Sequence, residues 1–350
     1  MLKIFVSKDN LPRLVDRLMA DNQVLGPVRE GEAYRFRALK EARDLDLNFQ
    51  NTRLSPKDLM HPQTDPLFAY SLRKDDPEAG ILKELPRQTA QRVVLGIRPC
   101  DAKAFQLVDV NFVTDTYRDP WWEARRNATV LVGLGCTQPC STCFCTAVGT
   151  GPFDSSALDV LMTEVEGGYL LAAVTEKGEA LLQDAPEAQS ATGEMAEAAE
   201  KIALEAAKKV AKPFVIDPLK DKPQTELFGA EFWEEVQFAC INCGTCTYLC
   251  PTCWCFDIQD EVQGDRGVRL RLWDACMFPL FTLHGSGHNP RSQKLQRVRQ
   301  RFMHKFKYYV DKYGDGPACV GCGRCVQYCP VNIDIRRVVA MMSASCVCPT

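Results

Sequence analysis

The sequence lacks most of the features that identify membrane, nucleic-acid-binding and nucleotide-binding proteins. No apolar run approaches the roughly 18 residues that a spanning helix needs, and Met1-Leu-Lys-Ile-Phe-Val-Ser-Lys8 has no signal-peptide pattern. A net charge of −3 provides no excess of positive charge for nucleic acid. The chain contains no P-loop, no G-x-G-x-x-G after a strand and no nucleophile triad. These absences leave no visible site for a nucleotide or for substrate chemistry.

Cysteine, in contrast, is abundant, with 18 in a chain of 350 residues. A secreted disulfide scaffold would be shorter and would carry a signal peptide. We therefore expect a cytoplasmic protein, in a compartment where thiols stay reduced. A chain of this length can form two domains with their own cores.

Eight of the cysteines form two copies of one motif. The first copy is Cys240-Ile-Asn-Cys243-Gly-Thr-Cys246-Thr-Tyr-Leu-Cys250-Pro251, and the second is Cys319-Val-Gly-Cys322-Gly-Arg-Cys325-Val-Gln-Tyr-Cys329-Pro330. Both read C-x2-C-x2-C-x3-C-P, the ligand spacing of two-cluster bacterial ferredoxins, in which the fourth cysteine binds the other cluster. The sequence therefore predicts two crossed ligand sets for [4Fe–4S] clusters: Cys240, Cys243 and Cys246 with Cys329, and Cys319, Cys322 and Cys325 with Cys250.

The alternative for these motifs is a structural zinc site, which also uses C-x2-C pairs. Zinc needs only four ligands, usually as two separated pairs, which leaves the third cysteine and the Cys-Pro of each copy unexplained. Gly244, Gly321 and Gly323 suit loops whose backbone N–H groups must turn towards sulfur. Duplication of the whole pattern favours clusters over zinc.

Two strands in the N-terminal half bring further cysteines together. Arg92–Ile97 and Thr129–Leu134 are predicted to be buried strands, with Asp101 as the N-cap of the helix between them. Strand–helix–strand order predicts parallel neighbours, whose ligands lie beyond the carboxyl ends of the strands. Cys100 and Cys136 each follow such an end.

This arrangement predicts a third [4Fe–4S] cluster held by Cys100, Cys136, Cys143 and Cys145. A helix N-terminus beside Cys100 would favour the negative charge of a thiolate-bound cluster. The alternative is that these are buried structural cysteines. Cys140 is the spare thiol in this ligand set, and the spacing does not exclude it.

Other segments give predictions about local structure only. Residues 11–19 predict an amphipathic helix, and the prolines at 56, 62 and 66 are expected to interrupt any regular element over residues 51–70. Residues 175–178 predict a turn. A stretch rich in Ala, Glu and Lys over residues 187–212 predicts a connecting helix.

An insertion, residues 251–318, separates the two ferredoxin-like motifs and contains three more cysteines, Cys253, Cys255 and Cys276. They could hold a fourth metal centre, with Cys346 or Cys348 as the candidate fourth ligand. They could equally be inert packing residues.

The insertion ends in the most basic segment of the chain, residues 291–313. An apolar stripe runs along it at helical spacing: Leu295, Val298, Phe302, Phe306 and Tyr309. A basic face lies beside the stripe: Lys294, Arg297, Arg301 and Lys305. This face is predicted to be solvated, to dock an acidic partner, or to balance the charge of nearby anionic clusters.

Two folded parts are therefore expected. Residues 1–182 are predicted to form an α/β domain with one [4Fe–4S] site at its strand ends, and residues 183–230 a connecting helix and linker. Residues 231–350 are predicted to form an α+β, mostly helical, ferredoxin-like domain with two [4Fe–4S] clusters.

The motifs together resemble one family. Gly96-Ile-Arg-Pro-Cys100-Asp101, Cys143-Phe-Cys145 with the following Gly149-Thr-Gly-Pro152, and Cys250-Pro-Thr-Cys253-Trp-Cys255 carry the resemblance. They are similar to motifs of the iron–sulfur beta subunits of cytoplasmic sulfhydrogenases, which are nickel–iron hydrogenases that also reduce sulfur, and of the corresponding iron–sulfur subunits of anaerobic sulfite reductases. The segment Arg299-Gln-Arg-Phe-Met-His304-Lys also resembles a basic helix of this family.

The resemblance implies a non-catalytic electron-transfer protein with several [4Fe–4S] clusters. It would pass electrons between a catalytic subunit, such as a hydrogenase or a sulfite or sulfur reductase, and a flavoprotein NAD(P)H-oxidoreductase-like subunit. Family positions are matched by Cys100, Cys136, Cys143, Cys145, Cys253, Cys255 and Cys276, but not by Cys140, Cys346 or Cys348.

Two other roles stay open. One is delivery of electrons within a flavin oxidoreductase complex linked to heterodisulfide reductase. The other is a sulfur-reducing thiol or metal enzyme that uses Cys253, Cys255 and Cys276.

Overall fold

The computed structural model describes residues 2–87, 90–314 and 316–344. Its strands, numbered in chain order, are β1 Lys3–Ser7, β2 Gln23–Glu30, β3 Ala33–Ala38, β4 Thr64–Ser71, β5 Lys83–Glu84, β6 Arg92–Ile97, β7 Thr129–Leu134, β8 Val160–Val165, β9 Gly168–Ala173, β10 Gln189–Ser190, β11 Phe256–Gln263 and β12 Arg266–Trp273.

The α-helices, also numbered in chain order, are α1 Leu11–Asp21, α2 Pro99–Phe112, α3 Pro120–Asn127, α4 Glu176–Leu182, α5 Gly193–Lys208, α6 Pro218–Asp221, α7 Gln224–Gly229, α8 Phe232–Phe238, α9 Thr245–Tyr248, α10 Lys294–Met303, α11 Tyr309–Tyr313, α12 Arg324–Gln327 and α13 Ile335–Ala344. A π-helical turn, His304–Tyr308, joins α10 to α11. No helix among the described residues is both long and apolar enough to cross a membrane.

The N-terminal part is built on an eight-stranded sheet with the order β10-β1-β9-β8-β7-β6-β2-β3. Its central strands β2, β6, β7 and β8 are parallel neighbours, and the outer pairings are antiparallel. All six residues of β6 are buried, as expected for a parallel strand covered on both faces. The predicted α/β domain with β6 and β7 side by side is therefore confirmed.

The helix after β6 begins earlier than predicted, so the prediction that Asp101 is its N-cap is wrong. Pro99 is the first helical residue and Arg98 is the N-cap. Proline favours the first position of a helix because its φ is preset and it needs no N–H partner. Asp101 lies in the first turn of α2, where its buried carboxylate is free to pair with a residue from another element.

The prolines at 56, 62 and 66 do not prevent regular structure over residues 51–70, contrary to prediction. Pro66 lies inside β4, opposite Leu270 of β12, next to a shift in register. The other neighbour of β4, the short strand β5, pairs only with Phe68 and Ala69. A proline is tolerated in a strand at such an irregularity, where its missing N–H removes no ladder hydrogen bond.

A smaller sheet joins the two predicted parts of the chain. It has the order β11-β12-β4-β5, so the hairpin β11–β12 of the insertion pairs with a strand that precedes residue 90. The region after residue 230 thus contains this hairpin as well as helices. The turn predicted over residues 175–178 is also wrong, because Thr175 caps α4 by accepting a hydrogen bond from the Gly178 N–H.

The helices of the C-terminal part share a second core. Residues that pack there include Trp233 of α8, Val298 and Phe302 of α10, and Val339 of α13. The apolar stripe predicted over residues 291–313 faces this core and the neighbouring helices, because Val298, Phe302, Phe306 and Tyr309 are buried.

The loop that carries Cys322 holds the N-terminal and C-terminal parts in contact. Gly321 has a left-handed φ of 62°, and a Cβ there would lie only 2.5 Å from the carbonyl carbon of Phe144. The Phe144 N–H donates to the Gly321 carbonyl at 2.9 Å. Two backbones, one following β7 and one from the second cysteine motif, are therefore in direct contact.

A buried ion pair lies beside this contact. The Arg324 guanidinium, at the start of α12, donates to both carboxylate oxygens of Asp101 at 2.6 and 2.7 Å, and each side chain is only 1% exposed. Arg324 also donates to the Thr52 carbonyl at 2.8 Å and to the Asn51 side chain. Paired bidentately in this way, the guanidinium ties α12 to α2 with a defined geometry.

We expect Asp101→Asn to lower the free energy of unfolding by about 3–5 kcal/mol, because it leaves the buried Arg324 charge without its partner. Urea unfolding of anaerobically purified proteins with equal iron content measures this loss. The matched control is Glu235→Gln, which removes the exposed ion pair with Arg337 and should cost less than about 1 kcal/mol. Equal losses of unfolding free energy in the two variants would contradict the role of the Asp101–Arg324 pair in tying α12 to α2.

Candidate metal centres

The N-terminal cysteines surround one cavity at the carboxyl ends of β6 and β7. Cys100 lies in the first turn of α2, directly after β6, and Cys136 lies two residues beyond β7. The cavity is lined by Cys100, Cys136, Cys140, Cys143 and Cys145, together with Cys322 of the second cysteine motif. The structure thus brings the four predicted ligands together.

Cys140, the spare thiol of the prediction, lies in the same cavity. It is hydrogen-bonded to Cys143, and this contact lowers the pKa of Cys140 to about 6 and raises that of Cys143. The Cys140 thiol also lies 3.8 Å from the side-chain oxygen of Gln50. The N-terminal part therefore offers five thiols at this cavity for the four ligand positions of one cluster.

Arg98 supplies positive charge at this cavity. Its buried guanidinium donates to the carbonyls of Gln50 at 3.0 Å and of Gly135 at 2.9 Å. Burial lowers the pKa of Arg98, and the sulfurs of Cys136 and Cys100 act in the opposite direction. Burial also raises the pKa of Cys145 to about 12. A metal bound here would have to displace that proton, after which Arg98 would stabilise the thiolates.

The first crossed ligand set lines a second cavity. Its four cysteines are Cys240, Cys243, Cys246 and Cys329, and Cys325 of the other set also touches it. The remaining walls are largely apolar, with Met277, Val298 and Phe302 among them. An apolar wall excludes water from the sulfurs, one of the means by which a protein sets a cluster's reduction potential.

Backbone N–H groups donate to two of these sulfurs, and left-handed backbone positions lie beside them. Asn242 and Gly244 have φ of 54° and 74°. The Asn242 N–H donates to the sulfur of Cys240 at 3.4 Å, and the Ile333 N–H donates to that of Cys329 at 3.2 Å. Hydrogen bonds to sulfur stabilise thiolates and tune cluster potentials.

The second crossed set also lies together. Cys250, at the end of the first motif, neighbours Cys319, Cys322 and Cys325 of the second. Burial raises the pKa of each of these three thiols, to about 12 for Cys319, and the charge of Cys250 contributes to each increase. The structure therefore brings the cysteines of each crossed set together, and the crossed ligation itself stays a prediction.

The three cysteines of the insertion line a further cavity. Cys253, Cys255 and Cys276 face it together with His304 and Lys305. A hydrogen bond from Cys276 lowers the pKa of Cys255 to about 7 and raises that of Cys276. Burial lowers the pKa of His304 to about 4, so its imidazole is uncharged at neutral pH. Cys346 and Cys348 lie outside the described residues.

Buried cations lie among the C-terminal cysteines. Arg301 donates to the sulfur of Cys253 at 3.9 Å, and Lys305 donates to Thr252 at 2.8 Å and to the Ala318 carbonyl at 2.9 Å. Their side chains are buried, and within residues 2–87, 90–314 and 316–344 neither forms an ion pair with a carboxylate.

The groups that favour the charged form of these two cations are cysteine sulfurs. Burial alone would lower the pKa of Arg301, but Cys246, Cys325 and Cys253 raise it well above its usual value. Cys250 and Cys253 likewise overcome burial and raise the pKa of Lys305. Lys57 is buried beside Cys253 as well, and there burial dominates and lowers the pKa. Ionised sulfur can compensate these charges, and metal ligation is what keeps a buried thiol ionised.

The predictions that the basic face is solvated or docks an acidic partner are therefore wrong for most of its residues. Arg297, Arg301 and Lys305 are buried, and only Lys294 retains substantial exposure. The third prediction, charge balance for anionic centres, agrees with the contacts of Arg301 and Lys305. Lys57 could not have been foreseen, because a single lysine in a proline-rich segment carries no pattern that marks it as buried.

The cysteine sites fit cubane clusters in the chemistry of their donors. Each predicted set offers four thiols, and the surroundings supply buried cations or N–H groups aimed at sulfur. Among the described residues, no three His, Cys, Asp or Glu side chains are grouped closely enough to hold one metal ion. A cubane presents a separate iron atom to each ligand, so its four thiolates stay apart.

We expect Gly321→Ala to lose roughly eight irons per chain, four for each of two neighbouring sites. The added Cβ would collide with the Phe144–Cys145 backbone and would also have to adopt the left-handed φ of 62°. Iron analysis of anaerobically purified protein measures the loss. Gly285→Ala is the control, because a Cβ there meets no atom within 4 Å. Full iron content in Gly321→Ala would show that the contact does not position either site.

Comparison with known proteins agrees with these sites. A family described as 4Fe-4S dicluster domain matches residues 239–333, which contain both cysteine motifs. The chain is 29% identical over 346 residues to sulfhydrogenase 2 subunit beta of Pyrococcus furiosus, a match that covers 97% of this chain and 98% of that protein. Residues 239–333 are thus a 4Fe-4S dicluster domain, and the resemblance of the chain to sulfhydrogenase beta subunits is confirmed over nearly its whole length.

Proposed function

We propose that this chain is the iron–sulfur electron-transfer component of a multi-subunit redox complex. It relays electrons between a catalytic subunit, either a hydrogenase or a sulfite or sulfur reductase, and a flavin-containing NAD(P)H-oxidoreductase subunit. The name of the Pyrococcus furiosus relative, a beta subunit of a sulfhydrogenase, supports both a multi-subunit assembly and a hydrogenase partner.

The proposed ligands form three [4Fe–4S] sites. The N-terminal site uses Cys100, Cys136, Cys143 and Cys145. The first C-terminal site uses Cys240, Cys243, Cys246 and Cys329, and the second uses Cys319, Cys322, Cys325 and Cys250. When bound, clusters of this class exchange single electrons. Cys253, Cys255 and Cys276 are the candidate ligands of a fourth centre.

The observation that carries the proposal is the continuity between these cysteine sites. Cys322 belongs to the second C-terminal set but also lines the N-terminal cavity, and its carbonyl lies 3.6 Å from the sulfur of Cys143. Cys325 of the same set touches the first C-terminal cavity. Cavities that share cysteines in this way leave little room for a substrate between them, so their arrangement suits transfer of charge better than chemistry on a molecule.

Of the three proposed sites, the first C-terminal site reaches the surface. Cys243 is exposed, and the neighbouring apolar side chains Phe238 and Ile241 are 83% and 61% exposed. Apolar side chains clustered beside an exposed ligand are typical of a surface that meets another protein. The proposal therefore assigns the first C-terminal site to exchange with a partner protein.

The enzyme alternative rests on the insertion cysteines. The lowered pKa of Cys255 would make it a reactive thiol at neutral pH, and a sulfur compound is the substrate class that such a thiol could attack. Reduction of a sulfur compound by the isolated chain, with a chemical electron donor, would favour this alternative. Dependence on a flavoprotein partner and a separate catalytic subunit favours the relay.

We expect the anaerobically purified protein to contain at least about twelve irons and twelve sulfides per chain, from three [4Fe–4S] clusters. EPR spectra of the reduced form should show magnetically interacting clusters, because the sites adjoin each other. A fourth cluster would raise the count to about sixteen. Zinc in place of iron would contradict the relay.

We expect Cys322→Ala to abolish electron flow between the flavoprotein and the catalytic partner. The catalytic partner should still react with artificial electron donors, because its own site is untouched. Turnover of the reconstituted complex with physiological and artificial donors measures the two activities. Ser286→Ala, in an exposed loop, is the control and should leave both unchanged. Undiminished physiological turnover in Cys322→Ala would remove the second C-terminal site from the path.

A further inference from the structure

The cavity formed by Cys253, Cys255 and Cys276 contains one more side chain that can bind iron. Besides the three cysteines it is lined by Thr252, Trp254, Arg301, His304, Lys305 and Ala318. Trp and Ala offer no lone pair for a metal, and the charged Arg and Lys side chains have only donors. The Thr252 hydroxyl is already occupied by Lys305, by the Ala318 carbonyl and by the sulfur of Cys250. Imidazole is a ligand of iron–sulfur clusters in other proteins.

The helix places this imidazole on the cavity that the three cysteines line. Arg301, His304 and Lys305 are spaced i, i+3 and i+4, so they share one face, and all three line the cavity. His304 is the first residue of the π-helical turn His304–Tyr308. Such turns are rare and occur frequently at functional sites. The His304 ring packs edge-on against Trp254, with ring centroids 5.1 Å apart, and Trp254 lies between two of the cysteines in sequence.

The surrounding charge suits an anionic centre rather than three neutral thiols. Arg301 donates towards the sulfur of Cys253 at 3.9 Å, and the Lys57 ammonium donates to the Cys253 carbonyl at 3.2 Å. Lys305 completes a group of three buried cations around the cavity. Without ionised sulfur, these cations would be desolvated and uncompensated, which is a strongly unfavourable arrangement.

We propose that Cys253, Cys255, Cys276 and the imidazole of His304 ligate a fourth iron–sulfur cluster. This inference rests on the proposed function, because it adds one cluster to the same electron-transfer protein. Cys250 and Cys253 are hydrogen-bonded through their thiols, so the fourth site adjoins the second C-terminal site. The proposal names His304, which lines the cavity, as the fourth ligand in place of Cys346 or Cys348.

The test combines iron analysis with the magnetic coupling of nitrogen to the reduced cluster. Wild-type protein should contain about sixteen irons, and Cys276→Ser about twelve. Protein labelled with ¹⁵N-histidine should show a strongly coupled ¹⁵N nucleus in pulsed EPR spectra. That coupling should disappear in His304→Ala, whether or not the cluster is retained, and should persist in the exposed control His288→Ala.

A second variant replaces the histidine with another residue that can bind iron. His304→Cys should retain about sixteen irons, lose the nitrogen coupling and shift one midpoint potential downwards, because imidazole ligands give higher potentials than thiolates. Persistence of the coupling in His304→Ala and His304→Cys would overturn the assignment of His304. About twelve irons in the wild type, unchanged in Cys276→Ser, would overturn the fourth cluster and leave the three-cluster relay intact. A wild type containing zinc instead of iron would overturn both.

Discussion

Burial of positive charge among sulfur atoms is the constraint on which the C-terminal part depends. Arg301, Lys305 and Lys57 lie among cysteines, and the sulfurs of Cys250 and Cys253 raise the pKa of Lys305. On the protein surface, the same side chains would stay hydrated and their charges would need no partner. In the interior the same charges are tolerable only if the neighbouring sulfurs are ionised. The packing of α10 and the state of the cysteines are therefore coupled.

A second constraint fixes the distance between the N-terminal and C-terminal sites. The backbone contact between Gly321 and Phe144 and the ion pair between Arg324 and Asp101 both join the loop of the second cysteine motif to the β6–α2–β7 unit. The small sheet adds a further connection, since the hairpin β11–β12 pairs with β4. Electron transfer between centres depends on their separation, so a rigid junction at this point serves the proposed relay directly.

The sequence predicted the sites better than it predicted their surroundings. A repeated cysteine spacing reports local loop geometry, and the apolar run that follows Arg92 in β6 reports burial. Convergence of Cys100 with Cys136, and of the eight motif cysteines, could therefore be expected. The burial of Arg301 could not be expected, because basic residues repeated along one helix face usually point to solvent. Only the tertiary fold shows that cysteines lie opposite this face. Pro66 within β4 depends likewise on a register shift in a partner strand, which is distant in sequence. Ligation itself remains a prediction.

These constraints imply that metal binding and folding are coupled in the C-terminal part. With metal bound, the thiols around Arg301 and Lys305 are permanently ionised and the buried cations are compensated. Without it, burial keeps thiols such as Cys319 protonated, since its pKa is raised to about 12, and part of the negative charge that the cations require is absent. The apo chain must then expose these cations or bind counter-ions, either of which disrupts the packing of α10 against the second core. The proposed clusters would accordingly be part of the fold, as in other small metal-containing domains, and the proposed relay would assemble as they bind.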